Sequence, residues 1–312
     1  MRWFLLFLTT TLFAATIKDS LIKGEPGDFI VFEQSKIATL VSIHSLTDTH
    51  LILEEISIPS HLKPKDWAVF VKNKGKEATS HLLYEIDLSS DEITECYSVT
   101  KKTFLPPPSF FYELLKLPLF ITKEPKKIGP PPPPESIDRR ALWAPPLIVE
   151  GVKKRASSFS TFTCHFPNDG GELSGKPITL YFVPHFPFPI YLEVNDPHYT
   201  FKLFSINMGK HLPPSLESFP RRYPSFIGGL IKGPTLYTFK LSSPSYYHSY
   251  TLKALDHETG ETLSIIPSIT RQGELITLTF SISPLEKGHV YTFLAVPDEF
   301  PSYYAESSTV RL

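Results

Sequence analysis

Cysteine is nearly missing from this chain: Cys96 and Cys164 are the only two in 312 residues. That count excludes a disulfide-dense secreted scaffold, so stability has to come from packed cores. A single bridge would have to join two domains, and two buried free thiols are the simpler reading. Charge imbalance is lacking as well, with 31 basic and 32 acidic residues. A nucleic-acid-binding footprint usually shows as a basic excess, so no nucleic-acid partner is expected. Lys153-Lys154-Arg155 and Arg221-Arg222 are too short to change that, and read as solvated loops.

Sequence motifs for chemistry are missing too. There is no H-E-x-x-H, no C-x-x-C and no EF-hand loop, and the 11 histidines are scattered. No metal and no cofactor is expected. Asp256-His257-Glu258 looks like a ligand set in letters, but Thr259-Gly260 follows and makes it a hairpin turn. No G-x-S-x-G elbow occurs, and Gly171-Glu172-Leu173-Ser174-Gly175 has its serine one place too late. Ser20/Lys23, Ser60/Lys63 and Ser98/Lys101 have S-x-x-K spacing without the companion elements of that enzyme class. No catalytic residue is therefore assigned.

What is present begins at the N-terminus. Arg2 precedes Phe4 to Leu8 and Leu12-Phe13, and Ala14-Ala15-Thr16 supplies small residues. That order is the order of a secretory signal peptide, and the run is too short to span a membrane. Residues 1–16 are expected to be a signal, the rest secreted, periplasmic or in the cell envelope, with no transmembrane span after signal removal.

Proline is in excess, at 31 of 312. It is excluded from helix interiors and tolerated at strand edges and turns, so long helices are not expected. The same density argues against a transmembrane β-barrel, whose strands need ~9–11 unbroken residues. Short β-rich runs fill residues 28–99, including Asp28–Phe32, Ile37–Ile43, His50–Ile58, Trp67–Val71, His81–Leu88 and Ile93–Val99. Ser109–Leu117 reads as a two-turn helix stopped by Pro118. Further on, Leu275–Ser283 alternates Ile276, Leu278, Phe280 and Ile282 with Thr and Ser, the period of a half-buried strand. Tyr237/Phe239/Leu241 and Tyr250/Leu252/Ala254 repeat it, and Val290–Val296 suits a central strand. Gly260, Gly273 and Gly288 mark the turns between these runs.

The fold class expected is mainly β: two antiparallel β domains joined by a Pro-rich linker. The N-terminal domain covers 17–124 and the linker 125–148, where Pro130 to Pro134 favour a stiff polyproline II spacer. The C-terminal region, 149–312, is expected to be an immunoglobulin- or fibronectin III-like sandwich, in one unit or two divided near 230.

Two clusters carry the binding hypothesis. Tyr246, Tyr247 and Tyr250 offer rigid amphipathic area to a glycan or protein partner. Arg221 and Arg222, among aromatics and prolines, have the fork geometry to clamp a carboxylate or phosphate. Each also has a packing reading: tyrosines at a sandwich edge, arginines stacked on rings.

Asp138-Arg139-Arg140…Trp143, Gly171–Lys176, Tyr181-Phe182 with Phe186-Pro187-Phe188-Pro189, and Pro220–Pro224 together resemble segments of uncharacterised exported proteins of chlamydia-type bacteria. The resemblance spans about residues 135–230; it implies an envelope or secreted setting and transfers no catalytic residue. The expected function is a non-enzymatic envelope or surface protein that binds an envelope protein or glycan partner. The alternative is a glycan- or peptidoglycan-acting hydrolase carrying a β-sandwich module, with carboxylates distant in sequence. N-terminal sequencing checks the address: an exported product starting near residue 17 is expected, and Met1 retained in a soluble cytoplasmic protein would remove it.

Overall fold

The computed structural model describes residues 15–106, 115–123, 126–128, 134–135, 137, 142–143, 147–154, 159–168, 171, 173–194, 196 and 201–312. The expected leader therefore lies, up to residue 14, outside the described residues, as does most of the five-proline run and of the helix expected at 109–117. The chain divides into two compact units, Met1–Phe219 and Pro220–Leu312.

The first unit opens on α1 (Ile17–Leu21), whose start is fixed by a capping box. Thr16 Oγ1 accepts from the Asp19 amide at 3.1 Å, and the Thr16 amide donates to Asp19 Oδ2 at 2.7 Å. Ala15 O accepts from the Leu119 amide at 2.7 Å. Both residues are thus part of the folded unit, so a boundary at 16 cuts through a cap worth about 1 kcal/mol.

Six strands follow in antiparallel order: β1 (Phe29–Gln34), β2 (Ile37–Leu46), β3 (His50–Pro59), β4 (Ser80–Asp87), β5 (Glu92–Ser98) and β6 (Thr103–Leu105). β3 is buried on both faces, which explains its unbroken Leu51-Ile52-Leu53. Leu51 and Leu53 enter one core, while Ile56 and Ile58 enter another with Trp67, Val71 and Leu212.

Trp67–Val71 is helical, not a strand as its apolar run suggested: α2 spans Trp67–Lys72. Asp66 decides this, because its side chain caps the helix by accepting from the Val69 amide at 3.1 Å. Trp67 and Val71, four apart, then share the buried face.

Downstream come β7 (Phe120–Ile121), the parallel pair β8 (Lys127–Ile128) and β9 (Leu142–Trp143), β10 (Leu147–Val149) and β11 (Val152–Lys154). Then β12 (Ser160–His165), β13 (Pro177–Phe182), β14 (Pro189–Val194) and β15 (Lys202–Gly209) complete the unit. These later strands do not form a separate domain. β15 pairs antiparallel with β1, Phe29 opposite Gly209 and Glu33 opposite Phe204, so one sheet runs β6-β5-β4-β3-β2-β1-β15-β14-β13-β12-β7. Ile30, Ile43, Leu53 and Ile86 share a core with Ile178, Leu180, Phe182 and Ile190. The expected division into 17–124 and 149–312 across a linker is therefore corrected. Proline density at 125–148 suggested a boundary, but the non-local pairing of 29–33 with 204–209 leaves no trace in composition.

The second unit holds two sheets. β16 (Ser225–Phe226), β18 (Leu236–Ser242), β22 (Leu275–Ser281) and β21 (Ser268–Gln272) lie side by side, with β17 (Ile231–Lys232) also on β18. β20 (Thr262–Ile265), β19 (Tyr250–Asp256), β23 (Val290–Pro297) and β24 (Ala305–Glu306) form the other, with β25 (Val310–Arg311) on β23. Phe239, Leu241, Leu278 and Phe280 from the first pack with Leu252, Ala254, Phe293 and Ala295 from the second. The alternation read in 275–283 thus puts Ile276, Leu278 and Phe280 inside. Gly260, Gly273 and Gly288 take φ of 75°, 61° and 89° at the turns, where a Cβ is disfavoured.

Cys96 and Cys164 are free and buried in the same core of the first unit. Burial, with Glu55 and Glu95 nearby, pushes the Cys96 thiol up to about 11; burial pushes Cys164 up to about 12. Both are inert at neutral pH. Native protein is expected to leave a thiol reagent unreacted and to titrate two thiols once unfolded without reductant; none titrating after unfolding would show a bridge instead.

Candidate functional sites

The five residues singled out from the sequence all fall in the second unit, in one cluster. Arg221 precedes β16 and lays its guanidinium over Tyr246 at 4.9 Å and Phe300 at 5.1 Å. Arg222 donates its amide to Tyr246 Oη at 2.9 Å and pairs through Nη2 with Glu274 Oε1 at 2.7 Å. Tyr247 Oη donates to Arg222 O at 3.0 Å, while Arg271 donates to Tyr247 O and to Gly273 O.

Burial then separates the five. Tyr247 is 0% and Tyr250 2% exposed, so neither ring can meet a ligand. Their hydroxyls are held far above the ordinary tyrosine range by burial. Tyr246, Arg221 and Arg222 remain half-buried. The surface beside them is completed by three further tyrosines. Tyr223, 64% exposed, packs on Tyr303 at 5.0 Å, and Tyr304 is 44% exposed. Aromatic strings mark each segment in the sequence, but only the fold brings 221–223 to 303–304.

At the opposite turn of the same unit, Asp256, Glu258 and His289 place ligand-type atoms within 4.8 Å of one another. His257, its neighbour in sequence, turns away to Thr292 Oγ1 at 2.8 Å. His289 arrives because β19 pairs with β23, setting Asp256 opposite Tyr291. The donors are already committed within the chain. Asp256 Oδ1 accepts the Glu258 amide at 2.8 Å and the Thr259 amide at 3.3 Å, and Oδ2 accepts His289 Nδ1 at 2.7 Å. Glu258 Oε2 accepts the Val290 amide at 2.9 Å. This is a polar clasp across two turns.

Two arrangements in the first unit look catalytic until geometry is applied. Glu54 Oε1 and Ser215 Oγ lie 2.7 and 3.1 Å from His81, but both meet Nε2, while Nδ1 faces Lys74 O. A Ser–His–acid relay needs the acid and the serine on different ring nitrogens. The group is also closed to solvent, at 1% exposure for His81 and 0% for Glu54.

The second is a cleft of about 490 Å³ lined by Ser20, Lys23, Glu25, Asp28, His185 and Lys210 among others. It unites one of the three S-x-x-K pairs, Ser20/Lys23. His185 takes φ of 60° at its rim. Glu25 and Asp28 both turn to the Lys210 ammonium, at 3.7 and 3.8 Å. Glycosidase carboxylates flank a bond from two sides, whereas these share one cation.

The clasp predicts a pH response. Burial pushes Asp256 up, but the His289 contact and the two turn amides outweigh it and hold the carboxyl at about 2. The Asp256 hydrogen bond raises His289 against the effect of burial, with Glu286 and Glu258 adding to it. Asp256 therefore contributes stability present above its usual 3.8 and lost as pH falls toward 2. His289 contributes stability complete below its usual 6.5 and lost as pH rises through its raised value. His289→Gln should flatten the fall in thermal midpoint on the alkaline side of pH 6.5; an unchanged profile would show that the clasp does not titrate there.

A model of the CT021 protein family matches residues 39–155. That region takes in the string at 138–143, while 171–176, 181–189 and 220–224 lie beyond it, so the match is displaced from the 135–230 first suggested by resemblance. No curated protein matches the chain. A solved structure described as the 2.0 Å resolution structure of the hypothetical protein CT021 from Chlamydia trachomatis is similar at 18% identity. It covers 66% of this chain and 98% of that chain, with a TM-score of 0.47. The chain thus matches the CT021 family, through β2 to β11 of its first unit.

Proposed function

We propose that the chain is an exported, non-enzymatic protein of the bacterial envelope that binds a protein partner through the second unit. The observation that carries the reading is the exposed Tyr223 packed on half-buried Tyr303, with Arg221 stacked on Tyr246 and Phe300 in the same unit. Tyrosine and arginine are the side chains enriched at protein interfaces, because they offer large contact area with few rotatable bonds to freeze. The Arg221 guanidinium is held in place by two rings, so less ordering entropy is lost on contact. The export part of the reading is supported by the order of charge, apolar run and small residues in 1–16.

An immunoglobulin- or fibronectin III-like fold for the second unit belongs to the same proposal. In support, the sheet orders β16-β18-β22-β21 and β20-β19-β23-β24 correspond to the A-B-E-D and C′-C-F-G orders of such sandwiches. A second feature agrees. Tyr291, at the start of β23, accepts the Glu286 amide at 2.9 Å through its hydroxyl. A tyrosine at the corner before the sixth strand, bonded to backbone a few residues upstream, is a mark of that architecture.

Replacing Tyr223 by a photo-crosslinking phenylalanine analogue, in the protein expressed in its own envelope, tests the binding reading. A discrete protein cross-link is expected, weakened at least about tenfold by Arg221→Ala with Tyr303→Ala. Cross-links from other surface positions but none from 223 would overturn it. Binding on a glycan array that these substitutions abolish would replace a protein partner by a glycan.

A further inference from the structure

A cation sits in an aromatic enclosure in the first unit. Tyr181 of β13 and Tyr191 of β14 are cross-strand partners with ring centroids 5.3 Å apart. Trp143 of β9 closes on both, at 4.9 and 4.8 Å. Lys126 Nζ lies 4.7 Å from the Trp143 ring, 4.9 Å from Tyr191 and 5.7 Å from Tyr181. All three distances are within the reach of a cation–π contact.

Glu193 of β14 supplies the counter-charge. Its Oε2 accepts from Lys126 Nζ at 2.7 Å and from Tyr191 Oη at 2.8 Å, and its Oε1 accepts from Tyr181 Oη at 2.9 Å. Burial pushes the Glu193 carboxyl up, but Lys126 and the two tyrosine hydroxyls outweigh it and hold it below the usual carboxylate range. The rings are deep, with Tyr181 at 0% and Tyr191 at 1% exposure, whereas the Lys126 side chain keeps 20%. The enclosure therefore reaches solvent along its lysine.

We propose that Glu193, Tyr181, Tyr191 and Trp143 form an ammonium-recognition site whose resident ligand is the chain's own Lys126, and that a primary alkylammonium from outside the chain competes for it. Three ring faces and one carboxylate make up the chemistry by which proteins take cationic amines. The 2.7 Å contact to Glu193 is a hydrogen bond, which needs an N–H donor. The site therefore selects a protonated primary amine, such as a lysine side chain, over a quaternary one. The parallel pairing of β8, next to Lys126, with β9, which carries Trp143, fixes both in the enclosure. This site is independent of the surface of the second unit.

Chemical rescue tests it. Lys126→Ala leaves the Glu193 carboxylate without its cation and should lower the thermal midpoint. n-Butylammonium at tens of millimolar should then raise that midpoint by about 3 °C, through ligand linkage, and leave native protein unmoved. Tetramethylammonium should rescue less, and Lys126→Ala with Glu193→Gln should show no rescue. A folded Lys126→Ala protein that n-butylammonium does not stabilise would overturn the site, as would equal rescue in the double variant. Should Lys126→Ala not fold, native protein decides: n-butylammonium should raise acylation of Lys126 severalfold relative to Lys123, read by mass spectrometry. Unchanged relative acylation would overturn the proposal.

Discussion

Everything in the first unit depends on one antiparallel seam, β1 against β15. Phe29–Glu33 meets Phe204–Gly209 more than 170 residues later in the chain, and that pairing turns two groups of strands into a single sheet. A large loop closure of this kind costs entropy that grows slowly with length, so the seam has to be repaid by burial. The burial is visible: Ile30 and Val31 are fully closed to solvent, and Met208 nearly so. Once the seam forms, the same face of both strand groups lines one core, and both cysteines fall into it.

That architecture explains where the polar groups go. A chain with few staples closes its cores tightly, and any carboxylate caught inside needs a partner. Glu54 takes His81, and Glu193 takes Lys126 and two tyrosine hydroxyls. In the second unit Asp256 takes His289 and two turn amides. The first pair is sealed under Ser215 and the third is spent on holding turns. The second differs in that three aromatic rings surround its cation, whose side chain still reaches solvent.

How much of this the sequence disclosed depended on range. Local signals served well: period-two alternation placed Ile276, Leu278 and Phe280 inside, and the glycines at 260, 273 and 288 sit at positive φ. A short-range competitor was missed at Trp67–Val71, where Asp66 outweighs the strand propensity of the run. Long-range pairing leaves no local trace: proline density predicts a boundary at 125–148 and an optional one near 230, whereas the two units divide at Phe219/Pro220. The candidate surface was half legible. Arg221 and Tyr246 could be named because they lie in dense aromatic strings, but Tyr247 and Tyr250 in the same string turn inward, and Tyr223 and Tyr303 needed the fold to meet.

Native-state hydrogen exchange on the full chain tests the seam most directly. If β1 and β15 join one sheet, amides of β2 to β4 and of β13 and β14 open with a common free energy, as one cooperative unit. Two separate opening free energies, with the amides of Ile30 and Met208 exchanging at the lower one, would contradict the account and restore a boundary within residues 125–148.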